Sequence, residues 1–124
     1  MTLQIVTVAT HDFGYFDILK ESCRKNNTNL TVLGYNQKWT GLAMKLELLK
    51  KFLEKSDPND IVVLVDAFDV IMLGDIEDLE NIFLSFEKPI VIGVENSNGW
   101  LKYMLEIFYF GTYKSNIING GGYM

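Results

Sequence analysis

Cysteine is almost missing from this 124-residue chain. Cys23 stands alone, so no internal disulfide supports the fold and stability must come from a packed core. No metal- or redox-type partner lies near it in sequence, and it reads as a buried structural thiol. Histidine is as scarce: His11 is the single instance and reads as an exposed loop residue. Of the 11 basic residues only Arg24 is an arginine, and against 16 acids they leave a net charge of −5 and a pI of about 4.7. That balance argues against nucleic acid or an anionic membrane as partner. No apolar run is long enough to span a bilayer, and no basic region precedes Leu3–Ala9, so neither a membrane span nor a signal peptide is read. A cytoplasmic setting is the expectation. Proline is confined to Pro58, which ends a helix, and Pro89, which opens a strand.

What is present is a core's worth of apolar side chains, 48% of the chain with 13% aromatic. The length suits one domain at roughly 100–200 residues each. Strand-like and helix-like patterns alternate. Residues 3–9 form a first strand, followed by a helix from about Gly14 to Lys25 with Tyr15, Ile18, Leu19 and Ser22 on one stripe. Leu30–Leu33 is a short strand. A helix over Gly41–Lys55 carries Leu42, Leu46, Leu49 and Leu53 at helical spacing, widened by Leu48 and Phe52. A strand at 61–65 precedes a helix opening on Asp75, with Ile76, Leu79, Ile82 and Phe83 inward. Pro89–Glu95 reads as another buried strand, Trp100–Phe110 as an aromatic-rich helix and Ile117–Met124 as a strand-like ending. Strands separated by helices predict an α/β domain with a mainly parallel sheet.

The most informative segment is Asp60-Ile-Val-Val-Leu-Val-Asp66-Ala-Phe-Asp69. Branched aliphatics read as a strand buried on both faces, and two carboxylates three residues apart follow at its carboxyl end. Open α/β sheets bind ligands there. Neither acid has a basic neighbour in sequence, and a divalent cation would offset their charge. One or two carboxylates completed by substrate phosphates is the usual arrangement for magnesium or manganese. A helix cap or surface turn is the plainer reading of the same pair. The haloacid-dehalogenase pattern needs an acid where Phe68 stands, and the receiver-domain pattern needs more acid than His11-Asp12 supplies.

In order along the chain, Val6-Thr-Val-Ala-Thr10, Val63-Leu-Val-Asp-Ala-Phe-Asp-Val-Ile71, Gly93-Val-Glu95 and Ile118-Asn-Gly-Gly-Gly-Tyr123 resemble the glycosyltransferase domain of the procollagen lysyl hydroxylases. They are also similar to related collagen-type glycosyltransferases of animals and giant viruses. The resemblance implies a GT-A fold, a Rossmann-like α/β sheet using a UDP-sugar (UDP-glucose or UDP-galactose) and Mn2+ or Mg2+, with a hydroxylysine-type acceptor on a collagen-like chain. It implies Asp66 and Asp69 as metal ligands, Phe68 as the aromatic packed near the nucleotide, and Thr10 near the uridine. Lys45 would face the diphosphate, and Asn119, Gly120 and Gly121 would form the floor where sugar and acceptor meet. A viral source would put the protein in host cytoplasm or virion.

The departures are specific. Leu48 stands where the family has a tryptophan, and the glycine-rich loop before the lysine is shortened to Thr40-Gly41. The family's acidic run and histidine ligand would fall beyond Met124, so the chain reads as the amino-terminal, nucleotide-binding half of a larger domain, with no general base assigned. A catalytically inert nucleotide-sugar-binding or interaction fragment is the alternative. Glu95 reads as a cap or a ligand contact. Trp39 and Trp100 read as packing residues, Trp100 with a sugar-stacking option. Tyr103, Ile107 and Phe110 read as core or an oligomer face.

Overall fold

The computed structural model describes residues 1–94, 104 and 118–123. The expected helix Trp100–Phe110 and the roles considered for Glu95, Trp100, Tyr103, Ile107 and Phe110 lie outside the described residues.

Among the described residues, five strands form one sheet in the order β2-β1-β3-β5-β4. They are β1 (Leu3–Val8), β2 (Leu30–Leu33), β3 (Ile61–Asp66), β4 (Ile92–Val94) and β5 (Ile118–Tyr123), and the helices are α1 (Phe16–Lys25), α2 (Leu42–Leu53) and α3 (Ile76–Ser85). β1 pairs in parallel with both β2 and β3, in a register that sets Val8 beside Leu33 and Asp66. β5 runs antiparallel to both β3 and β4, so four strands share one direction and β5 opposes them. The result is the expected Rossmann-like arrangement, a mainly parallel sheet flanked by helices.

Alternation along β1 and β3 decides which helix covers which face. Leu3, Ile5, Ile61 and Val63 point to one side, where Ile76, Leu79 and Phe83 of α3 pack on them. Phe16, Leu19 and Cys23 of α1 join the same face through Ala9 and Ala67. Val6, Val8 and Leu64 point to the opposite side and receive Leu48, Leu49 and Phe52 of α2. Cys23 is buried as expected, and burial raises its thiol pKa.

Several inward-facing assignments are corrected. On α2, Leu42, Leu46 and Leu53 are exposed, Leu42 at 81%, while Met44 is buried. The helix has two apolar stripes, and the one carrying Met44, Leu48 and Phe52 meets the sheet. On α1, Tyr15 and Ile18 are exposed, and Phe16, Leu19 and Cys23 form the buried face. Ser22 does point inward, accepting a hydrogen bond from Met72 N at 2.9 Å. Ile82 is exposed, as are Ile90 and Ile92, so β4 is a short strand exposed at Ile92 rather than a buried one.

Candidate nucleotide site at the carboxyl ends of β1 and β3

From β1 the chain crosses through α1 to β2 on one side; from β2 it returns through α2 to β3 on the other. The carboxyl ends of β1 and β3 therefore flank a topological switch point, where the loops part and leave a crevice. A cavity of about 240 Å³ lies there. Thr10 and His11 leave β1 into it, Asp66 and Phe68 leave β3, and Trp39 and Lys45 approach from the start of α2. Thr10, Lys45, Asp66 and Phe68, four residues singled out from sequence, are brought together.

Lys45 is placed by the first turn of α2 and Asp66 by the last position of β3, and the Lys45 Nζ donates to Asp66 Oδ1. The lysine side chain is 13% exposed and the aspartate 40%. The expectation that Asp66 lacks a basic partner is thus corrected. Its counter-charge comes from 21 residues upstream, brought close because α2 packs over β3. Asp69 sits exposed in the bend that follows. Among the described residues no group of three or more His, Cys, Asp or Glu side chains is arranged to hold a metal.

The bend itself is held by the loop after β1. Tyr15 N donates to the Phe68 carbonyl at 3.0 Å. Gly14 has φ +55°, and a Cβ there would lie 2.9 Å from the same oxygen. Only glycine meets both the left-handed backbone and the close approach.

An aromatic wall lines one side of the cavity mouth. Phe68 meets Phe13 edge-on at 5.6 Å between centroids, and His11 lies 5.8 Å from Phe68. Thr10 Oγ1 and His11 Nδ1 share a hydrogen bond of 2.9 Å. His11 is exposed as expected, yet it borders the cavity. Trp39, assigned to packing, is 45% exposed and borders it too. The signal available for Trp39 was its position, in the loop that follows a parallel strand and precedes the helix carrying Lys45. Leu48 belongs to the core instead, packed on the Val6, Val8 and Leu64 cluster.

A clasp on the adjacent rim fixes the loop. Tyr35 donates to Asp12 Oδ2 at 2.6 Å, and Lys20 bridges Asp12 at 3.0 Å and Asp17 at 2.7 Å. The Tyr35 hydrogen bond, then that of Lys20, lowers the Asp12 pKa, and the same bond raises that of Tyr35.

The glycine run lies in β5, where Gly122 pairs with Val65. Asn119, Gly120 and Gly121 therefore belong to a strand running beside β3 near its carboxyl end. A larger groove of about 670 Å³ between α2, α3 and β4 is mainly apolar. Among its described lining residues the one acid, Asp60, is engaged by Thr2 N and Gln4 Nε2, each at 2.8 Å. The candidate chemistry stays with the smaller cavity.

A Rossmann-like α/β sheet with a crevice at its switch point belongs to the class of open α/β domains that take up ligands at the carboxyl ends of their strands. The whole chain, residues 1–124, matches the family described as PLOD GT domain, and it belongs to that family. It is 31% identical over 105 residues to a multifunctional procollagen lysine hydroxylase and glycosyltransferase of Caenorhabditis elegans, covering 75% of this chain and 14% of that protein. It is 30% identical over 135 residues to the human multifunctional procollagen lysine hydroxylase and glycosyltransferase LH3, covering 98% of this chain and 18% of that protein. The chain thus spans less than a fifth of the length of either relative. No helix among the described residues is long and apolar enough to cross a membrane.

Proposed function

We propose that the chain provides the donor-binding site of a glycosyltransferase, taking a UDP-hexose (UDP-glucose or UDP-galactose) together with Mn2+ or Mg2+. The acceptor would be a hydroxyl group of hydroxylysine type on a collagen-like chain. One observation carries the reading. An acid, a lysine, a buried threonine and two aromatics from three separate segments line a single crevice at the switch point of the sheet.

The cation is tested against the donor set. Asp66 and Asp69 are hard oxygen donors within reach of solvent. Magnesium and manganese are commonly held by one or two carboxylates completed by substrate phosphates, a mode that asks of this chain only Asp66 at the cavity and Asp69 in the bend after it, and no all-protein cage. When bound, such a cation neutralises charge building on the leaving diphosphate.

The chain's own residues do the rest. Lys45 offers an ammonium to the diphosphate. Phe68 and Trp39 offer flat apolar surfaces to the uracil ring, and Thr10 narrows the crevice beneath it. At about 240 Å³ the cavity is smaller than the ~300–1,000 Å³ of a pocket that encloses a whole ligand, so it takes one part of the donor. Asn119, Gly120 and Gly121, in the strand beside β3, would lie where sugar and acceptor meet. Transfer then depends on holding an acceptor hydroxyl in line with the anomeric carbon.

Calorimetry with UDP in the presence of Mn2+ tests the reading. Saturable binding by the wild type, lost in Asp66→Ala, is expected. No binding by the wild type would overturn it. UDP-glucose and UDP-galactose hydrolysis by the same two proteins then identifies the hexose.

A further inference from the structure

Lys45 and Asp66 bring opposite charges into one crevice, and each suits a different part of the donor. The carboxylate suits a cation and the ammonium suits the diphosphate. In the structure they serve each other, Lys45 Nζ donating to Asp66 Oδ1. We infer that Lys45 occupies the cation position of Asp66 until a diphosphate arrives, so that the divalent cation enters only together with the nucleotide. The inference rests on the nucleotide-sugar reading of the cavity.

The argument is electrostatic. A cation arriving alone must displace an ammonium from Oδ1 or share the carboxylate with it, placing like charges together. At 13% exposed, the lysine side chain is enclosed by the cavity wall and keeps its charge near the acid rather than in bulk water. Asp69, exposed and three residues on, is a single carboxylate, too little to hold magnesium or manganese by itself. A diphosphate changes the balance. It offers Lys45 new anionic oxygens in the same cavity, frees Asp66 Oδ1 and supplies the remaining oxygen ligands. Lys45 therefore excludes the lone cation and retains the nucleotide, and removing its charge should move the two affinities in opposite directions.

The test is Mn2+ titration of the full-length protein at fixed pH and ionic strength, followed by electron paramagnetic resonance, with and without UDP. In the wild type, Mn2+ alone should show no saturable site, and UDP should create one. Lys45→Met should acquire a saturable site for Mn2+ alone and bind UDP with Mn2+ about tenfold more weakly. Lys45→Arg, which keeps the charge, should still exclude the lone cation. Wild-type binding of Mn2+ that is equally tight with and without UDP would overturn the inference and leave the nucleotide site standing; this needs no variant. A folded Lys45→Met that still shows no saturable site for Mn2+ alone would do the same. Absence of UDP binding to the wild type, with or without Mn2+, would overturn both readings.

Discussion

Gly14 and Phe68 touch through their backbones. A Cβ at Gly14 would lie 2.9 Å from the Phe68 carbonyl oxygen, which already accepts from Tyr15 N. The turn carrying Asp66 and Asp69 is thereby propped on the loop that leaves β1. Gly14→Ala meets both a φ of +55° and this contact. It should lower unfolding free energy by about 1–3 kcal/mol in a urea titration and weaken UDP binding, because the turn must shift.

Asp66→Ala should act on stability as well as on ligand. It removes one hydrogen-bonding partner of an ammonium that is only 13% exposed. Since the carboxylate is itself 40% exposed, water takes up part of the lost interaction, and a cost of about 1 kcal/mol is expected. Lys45→Met combined with Asp66→Ala should cost less than the sum of the single changes. A double-mutant cycle by chemical denaturation checks this.

Trp39 reports on the crevice. At 45% exposed, its removal should change stability by no more than about 0.5 kcal/mol. Trp39→Ala should weaken UDP binding by about tenfold, a loss of about 1.4 kcal/mol of stacking. Quenching of tryptophan fluorescence by UDP should be seen in the wild type and diminish in Trp39→Phe.

The Asp12 clasp should be acid-sensitive. Tyr35 and Lys20 hold the Asp12 pKa below its ordinary value, so the folded state favours the ionised form. Its contribution is fully present above the ordinary carboxylate pKa and is lost as pH falls through the lowered folded value. Tyr35→Phe removes the larger cause. Thermal melts across the acid limb, below about pH 4, should show a shallower loss of stability in that variant than in the wild type.

Two leucines separate the faces of the fold. Leu64 is 1% exposed within the Val6 and Val8 cluster, and Leu64→Ala should cost about 2–5 kcal/mol. Leu46 is 59% exposed, and Leu46→Ala should cost less than about 1 kcal/mol. Equal losses in chemical denaturation would contradict the assignment of faces on α2.

The contrast shows what the sequence could reveal. The β3 strand was legible because a run of branched aliphatics ending in acid has few other readings, and the alternation of elements gave the sheet. The face of α2 was legible in part: Leu48, Leu49 and Phe52 meet the sheet as read, whereas Leu42, Leu46 and Leu53 do not. Leu42 and Leu46 repeat every fourth residue, and so do Met44, Leu48 and Phe52. Periodicity alone cannot choose between two apolar stripes; contact with β1 and β3 does. Local spacing was also silent on the Lys45–Asp66 pair, because a crossover helix makes it. Thr10 and Phe68 were reached through family resemblance. Trp39 was missed because an aromatic in a loop reads as packing until the cavity beside it is seen.

The order in which strands enter the sheet differs from the order in which they are made. Among the described residues, β4 is joined to β3 through β5. During synthesis the three strands β2, β1 and β3 can pair as soon as Asp66 has emerged, whereas β4 must wait for residues 118–123. Pairing of β1 with β3 at the crevice and the joining of β4 are therefore separate events, and a nascent chain could possess the first before the second.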